Sequence, residues 1–186
     1  MGVVSRPVQL VLLCEDQQHE VFLRRFFKEM GWELRELRVE KAPGGRGSAE
    51  QFVRRRFPVE LTAHRSRGGS HVLVTMIDGD RHGDDGRRRQ LDAACREAET
   101  AVRGRSERVV LAVPTRTIET WFAYLDGETV DEGRPDYPRL GRSRECQRHV
   151  DALARMCREG ALREPSPSSL RIACDEYRTR LANASP

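Results

Sequence analysis

Two short acidic segments hold the residue types in this chain best suited to chemistry. Cys14-Glu15-Asp16-Gln17-Gln18-His19-Glu20 follows the apolar run 8–13, and Asp78-Gly79-Asp80 follows the apolar run 71–77. Each sets carboxylates at the C-terminal end of a predicted buried strand, where open α/β sheets build their sites. Asp78 and Asp80 are two residues apart, so in extended chain both point the same way. Gly79 between them permits close backbone approach. Three or four carboxylates converging at that edge would suit a hard divalent cation, Mg²⁺ or Mn²⁺. Such a cation neutralises charge that develops during phosphodiester cleavage and activates water. Without one, clustered carboxylates repel and their pKa values rise. Glu20, five residues beyond Glu15, falls about one and a half helical turns on and behind the site.

Other reactive types carry weaker signals. His82 lies in the second acidic loop and titrates near neutrality, as a proton shuttle or as a solvated loop histidine. Cys146-x-x-His149 with Cys157 and Cys174 could bind zinc, but Cys157 and Cys174 fall on apolar helix stripes, which reads as buried thiols. Arg54-Arg55-Arg56 and Arg87-Arg88-Arg89 are basic runs on predicted helices. Arg81, Arg87 and Arg116 are the expected phosphate contacts, being the arginines nearest the acids. The loop Pro43-Gly44-Gly45-Arg46-Gly47-Ser48 opens a helix but lacks the Gly-Lys-Ser/Thr ending of an ATP-binding loop.

The elements that would position these residues follow from apolar patterning. Residues 8–14 form a nearly continuous apolar strand, suited to the centre of a parallel sheet. Asp16 caps the next helix, on which Val21, Phe22, Phe26 and Met30 share a face and which Gly31 ends. A second strand is predicted over 32–40 and a helix over 49–65, broken or bent at Pro58. The third strand spans 71–77, a helix spans 86–103, the fourth strand spans 108–113, and a short helix spans 117–125. This alternation predicts a small parallel sheet with helices on both faces, an α/β domain over 1–126. Residues 127–186 read as a long loop and a C-terminal helical appendage. In a flavodoxin-like strand order the first and third strands are neighbours, so Glu15 would face Asp78 and Asp80.

The bulk properties set outer limits. The 186 residues suffice for a buried core. The formal charge of +4 permits a polyanionic partner without requiring one. Only Lys28 and Lys41 are lysines, so the basic residues are almost all arginine. Five cysteines without paired CxxC spacing, and no leader-like or membrane-length apolar stretch, suggest a cytoplasmic protein with reduced thiols.

An apolar strand followed by Glu and a helix, then a later apolar strand ending in Asp-x-Asp, resembles the Toprim domain of topoisomerases, primases and OLD-family nucleases. The segment Val113-Pro114-Thr115-Arg116-Thr117-Ile118-Glu119-Thr120-Trp121-Phe122 is similar to a Pro-x-x-x-Ile-Glu-x-Trp stretch in OLD- and RloB-type Toprim-like proteins. The resemblance implies that Glu15, Asp78 and Asp80 bind Mg²⁺ (or Mn²⁺), with Glu119 supporting the same site. It implies a nuclease or nuclease subunit cleaving nucleic acid, DNA rather than RNA, working with a partner ATPase in phage defence. The alternatives are a non-catalytic Toprim-fold subunit and another Mg²⁺-dependent phosphohydrolase using the same strand-end acids, and two departures favour the first. Asp16 stands where the pattern commonly has Gly, and the lysine found near the metals in OLD-type nucleases has no evident counterpart.

Overall fold

The structure is a computed structural model, and residues 9–44, 48–68 and 70–181 are described. Part of the expected glycine-rich loop, residues 45–47, and the start of the first expected strand lie outside them. Four strands, β1 (Leu10–Cys14), β2 (Leu37–Lys41), β3 (Val72–Met76) and β4 (Val109–Ala112), form one parallel sheet in the order β2-β1-β3-β4. The helices are α1 (Gln17–Glu29), α2 (Ala49–Ser66), α3 (Gly83–Glu97), α4 (Ile118–Leu125), α5 (Gln147–Glu159) and α6 (Ser168–Leu181). The α/β class and the adjacency of the first and third strands follow the sequence expectation.

The pleat divides each strand between two cores. Leu10, Leu12 and Cys14 face one side with α1, α4, α5 and α6, while Val11 and Leu13 face the other with α2 and α3. The switch of faces follows from the strand order. From β1 the chain steps outward to β2, then crosses back past β1 to β3, and right-handed crossovers put α1 and α2 on opposite faces. That leaves β3 and β4 bare on the α1 side until the C-terminal helices cover them.

Within residues 127–181 the expected C-terminal helical extension packs into the core of the sheet. Leu153 and Leu170 belong to the same core as Leu12 and Phe22. Glu176 of α6 accepts from the backbone N–H of Leu111 at 2.8 Å and from Arg88 and Arg103. Arg88 and Arg103 in turn donate to the carbonyls of Leu111 and Val109. The free edge of β4 is thus satisfied by side chains, which blocks pairing with another strand.

Three local differences have clear causes. Trp32 is not the start of a strand. Its ring packs on Phe27 and its indole N–H donates to Tyr177 at 3.0 Å, so the strand waits until Leu37. Helix α2 runs unbroken through buried Pro58, where the burial of Phe57 and Leu61 outweighs one missing hydrogen bond. Helix α3 begins at Gly83, earlier than the pattern predicted, and ends at Glu97.

Candidate functional site at the carboxyl edge of the sheet

Residues Cys14 and Met76 are register partners at the ends of β1 and β3. The next residues therefore leave the sheet side by side. Glu15 Oε1 accepts from the Asp78 backbone N–H at 2.8 Å, which ties the two acidic segments together. Pairing between β3 and β4 continues into the loops, through Gly79 N–H to Pro114 O at 2.8 Å and Asp80 N–H to Arg116 O at 2.9 Å. Gly79 is required here. A Cβ at this position would lie 2.3 Å from Thr115 O and 2.8 Å from Pro114 O. Asp80 then adopts φ +49, a left-handed conformation uncommon outside glycine but tolerated best by Asp and Asn.

Asp16 caps α1 as expected, accepting from His19 N–H at 2.9 Å. The Asp that departs from the Toprim pattern thus has a structural use. The cap fixes the first turn so that His19, fully buried, points its Nε2 at Asp78 Oδ1, 3.2 Å away. No role was assigned to His19 from sequence. Its spacing after Asp16, on the first helical turn, is the signal that could have raised it. Burial works against its charge, but Asp78, Asp16 and Glu15 outweigh that, and His19 is raised to about 10. Glu15 is pushed up to about 7, chiefly by burial, with Asp78 and Asp80 adding to the rise against the opposing charge of His19. Asp78 is also raised by burial, opposed by His19 and reinforced by Glu119 and Asp80. Glu119, in the first turn of α4 and largely shielded, acts on Asp78 electrostatically; among the described residues its ion-pair contact is the exposed Arg139 at 3.8 Å.

The expected arginines separate into different roles. Arg87 is a correction to the sequence reading: it is 2% exposed and is no phosphate contact. It donates to Asp78 O at 2.8 Å, Glu50 at 2.7 Å, Gln90 at 2.7 Å and Asp80 at 3.1 Å, which uses up its guanidinium as a brace under the acidic loop. Arg116 bridges Asp80 O at 2.9 Å and Gly133 O at 3.1 Å, so it too holds the loop in place. Arg81 is exposed beside His82, with no acid partner among the described residues. Glu20 pairs with Lys41 at 2.7 Å.

Lys41 is better placed than the sequence suggested. The β1–β2 register carries it to the same edge as Glu15. There it lines a cleft of about 850 Å³ with Glu15, Asp16, Phe52, Arg55 and Arg56. Arg56 pairs with Glu60, and Arg54 with Glu50 outside the cleft, whereas exposed Arg55 has no acid partner among the described residues.

Among the described residues, no three His, Cys, Asp or Glu side chains are gathered closely enough to ring a metal ion as they stand. This includes the Cys146 and His149 pair considered for zinc; His149 stacks on Phe122 and meets Asp126 at 3.0 Å. No helix among the described residues is long and apolar enough to cross a membrane. No protein-family model, curated protein or solved structure matches the chain.

Proposed function

We propose that this protein is a Mg²⁺- or Mn²⁺-dependent Toprim-like nuclease, or the nuclease subunit of a complex, that cleaves phosphodiester bonds in nucleic acid. The observation that carries the reading is the Glu15 contact to the Asp78 N–H at one sheet edge, with Asp80 and Glu119 near enough to act on Asp78 electrostatically and with Glu15 and Asp78 both raised. Burial is the chief cause of both rises and the neighbouring acids add to it; a divalent cation would offset that opposition to their charge. The donor set is oxygen only, which fits Mg²⁺ or Mn²⁺. Glu15, Asp78 and Asp80 would hold the ion. Asp80 is the adjustable ligand, since its side chain is 49% exposed and only Arg87 has to release it. When bound, the metal would neutralise phosphate charge and activate water.

The chain's own residues supply the rest. His19 orients Asp78 and lowers the cost of its ionisation. Arg81 offers a guanidinium to phosphate, and the cleft beside Glu15 offers Lys41 and Arg55 to the backbone of a nucleic-acid strand, with Phe52 and Val59 as its apolar wall. DNA as the preferred substrate, the ATPase partner and the role in phage defence rest on the Toprim resemblance alone.

A second reading is a non-catalytic Toprim-fold subunit. It is favoured by the internal cations, because His19 faces Asp78 and Arg87 holds Asp80. One experiment separates the two. The protein is melted with increasing Mg²⁺ or Mn²⁺, and is incubated with plasmid, single-stranded DNA, RNA and nucleotides. Metal-dependent stabilisation and cleavage, both lost in Asp78→Ala plus Asp80→Ala, support the nuclease. Stabilisation without strand cleavage favours the binding subunit, and hydrolysis of nucleotides alone favours a phosphohydrolase. No metal effect on the melt refutes the metal site.

A further inference from the structure

The sequence places Cys157 and Cys174 on apolar stripes, which predicts buried thiols. The structure packs both against the core and leaves them partly exposed. Their sulfurs lie 3.7 Å apart across the α5–α6 interface. They line a cavity of about 280 Å³ with Gly160, Leu162, Tyr177 and Arg178. The other three cysteines, Cys14, Cys95 and Cys146, have no exposed surface.

We propose that Cys157 and Cys174 are a reversible oxidation site, a dithiol that peroxide converts to a disulfide linking α5 to α6. Closing the bond requires the sulfurs to approach from 3.7 Å to about 2 Å, a movement within reach of side-chain rotation. The two thiols are not equivalent. Either sulfur can donate to the other; that contact, with help from Arg178 and Arg158 and against burial, holds the Cys157 thiol below its ordinary value. The same hydrogen bond, together with burial, raises Cys174. Arg158 acts on Cys157 in addition to the Arg178 that both thiols share, which favours Cys157 as the attacking thiolate and Cys174 as the resolving thiol. Buried Cys14, pushed up to about 12 by burial, illustrates the unreactive environment of the rest.

The chemistry balances with hydrogen peroxide as the oxidant. Cys157 sulfur attacks one peroxide oxygen, an S–O bond forms, and the O–O bond breaks. The departing hydroxide takes up the Cys157 proton as water. Cys174 sulfur then attacks Cys157 sulfur, an S–S bond forms, and the S–O bond breaks. The second hydroxide leaves with the Cys174 proton as water. Two thiols are oxidised and one peroxide is reduced. A dithiol reductant reverses the change by exchange. The link matters to the fold because Glu176, two residues beyond Cys174, satisfies the free edge of β4.

The test uses the full reduced chain, treated with increasing hydrogen peroxide, alkylated and mapped by mass spectrometry. The expected result is loss of two hydrogens, a single cross-linked peptide pair joining Cys157 to Cys174, full reversal by dithiothreitol, and a Tm several degrees above that of the reduced protein. In Cys174→Ser, Cys157 halts as a sulfenic acid that dimedone traps; in Cys157→Ser, Cys174 stays reduced at the same dose. Equal oxidation of all five cysteines, over-oxidation of Cys157 in the parent chain without a cross-link, or no loss of hydrogens at a dose that oxidises free glutathione would overturn the proposal.

Discussion

Replacing Gly79 with alanine tests how the acidic loop is built. The added Cβ would lie 2.3 Å from Thr115 O, 2.7 Å from the Gly83 carbonyl carbon and 2.8 Å from Pro114 O. An ordinary contact needs about 1 Å more than the shortest of these, and all three atoms are backbone, so no side-chain rotation relieves the clash. The loop after β4 or the start of α3 has to move. Overpacking of this kind costs about 1–3 kcal/mol. The movement also strains the hydrogen bonds Gly79 N–H to Pro114 O and Asp80 N–H to Arg116 O, at about 1 kcal/mol each. A total of about 3–5 kcal/mol is expected, a large part of the stability of a typical domain. Urea denaturation at neutral pH, read by circular dichroism, measures it as a lower midpoint with an unchanged slope. Gly104→Ala is the control, since a Cβ there meets only the Glu107 side chain at 3.5 Å or more; it is expected within about 0.5 kcal/mol of the parent. If Gly79→Ala is also within about 0.5 kcal/mol of the parent, the tight joining of the acidic loop to the β4–α4 loop is wrong.

Three further perturbations follow from the charge network. His19 is raised from 6.5 to about 10, so its pairing with the acids stabilises the fold fully below pH 6.5 and is lost as pH rises through 10. His19→Gln is expected to cost about 3–5 kcal/mol at pH 6, the usual range for breaking a buried pair, and to flatten the fall in stability between pH 6.5 and 10; denaturation across that range reads it. Glu15 is raised from 4.5 to about 7, so the folded state opposes its ionisation and the penalty accumulates as pH rises through that window. Glu15→Gln keeps the acceptor for Asp78 N–H and is expected to be more stable than the parent by about 3 kcal/mol at pH 8 and equal to it near pH 4, with an unchanged pH profile counting against the raised value. Glu176→Ala leaves Leu111 N–H, Arg88 and Arg103 without their shared acceptor, and a loss of about 3–5 kcal/mol with concentration-dependent aggregation from the opened β4 edge is expected by denaturation and light scattering.

Much of the frame was legible in the sequence because it is written in local patterns. The apolar runs around Leu12 and Val74, the N-cap at Asp16 and the β/α alternation each depend on neighbouring residues, and together they set four parallel strands with acids at their ends. Glu15 and Asp78 were readable as neighbours because few topologies suit such a pattern. The boundaries were less legible. Trp32 looked like strand, since its partner Tyr177 is far away in the chain. Arg87 looked like a surface cation, and nothing nearby in sequence shows that Glu50 and Asp80 close around it.

The sequence by itself determined the α/β class, the edge at which the acids gather and the identity of those acids, because strand periodicity fixes which end of each strand bears them. Tertiary structure decided what each charge does there. It turned His19 into the buried partner of Asp78, Arg87 into a brace, and Lys41 into a cleft residue, and it made α5 and α6 a wall of the core. Those outcomes depend on which distant residues share a buried space, where a charge must find a partner or shift its pKa, and periodicity along the chain carries no record of that.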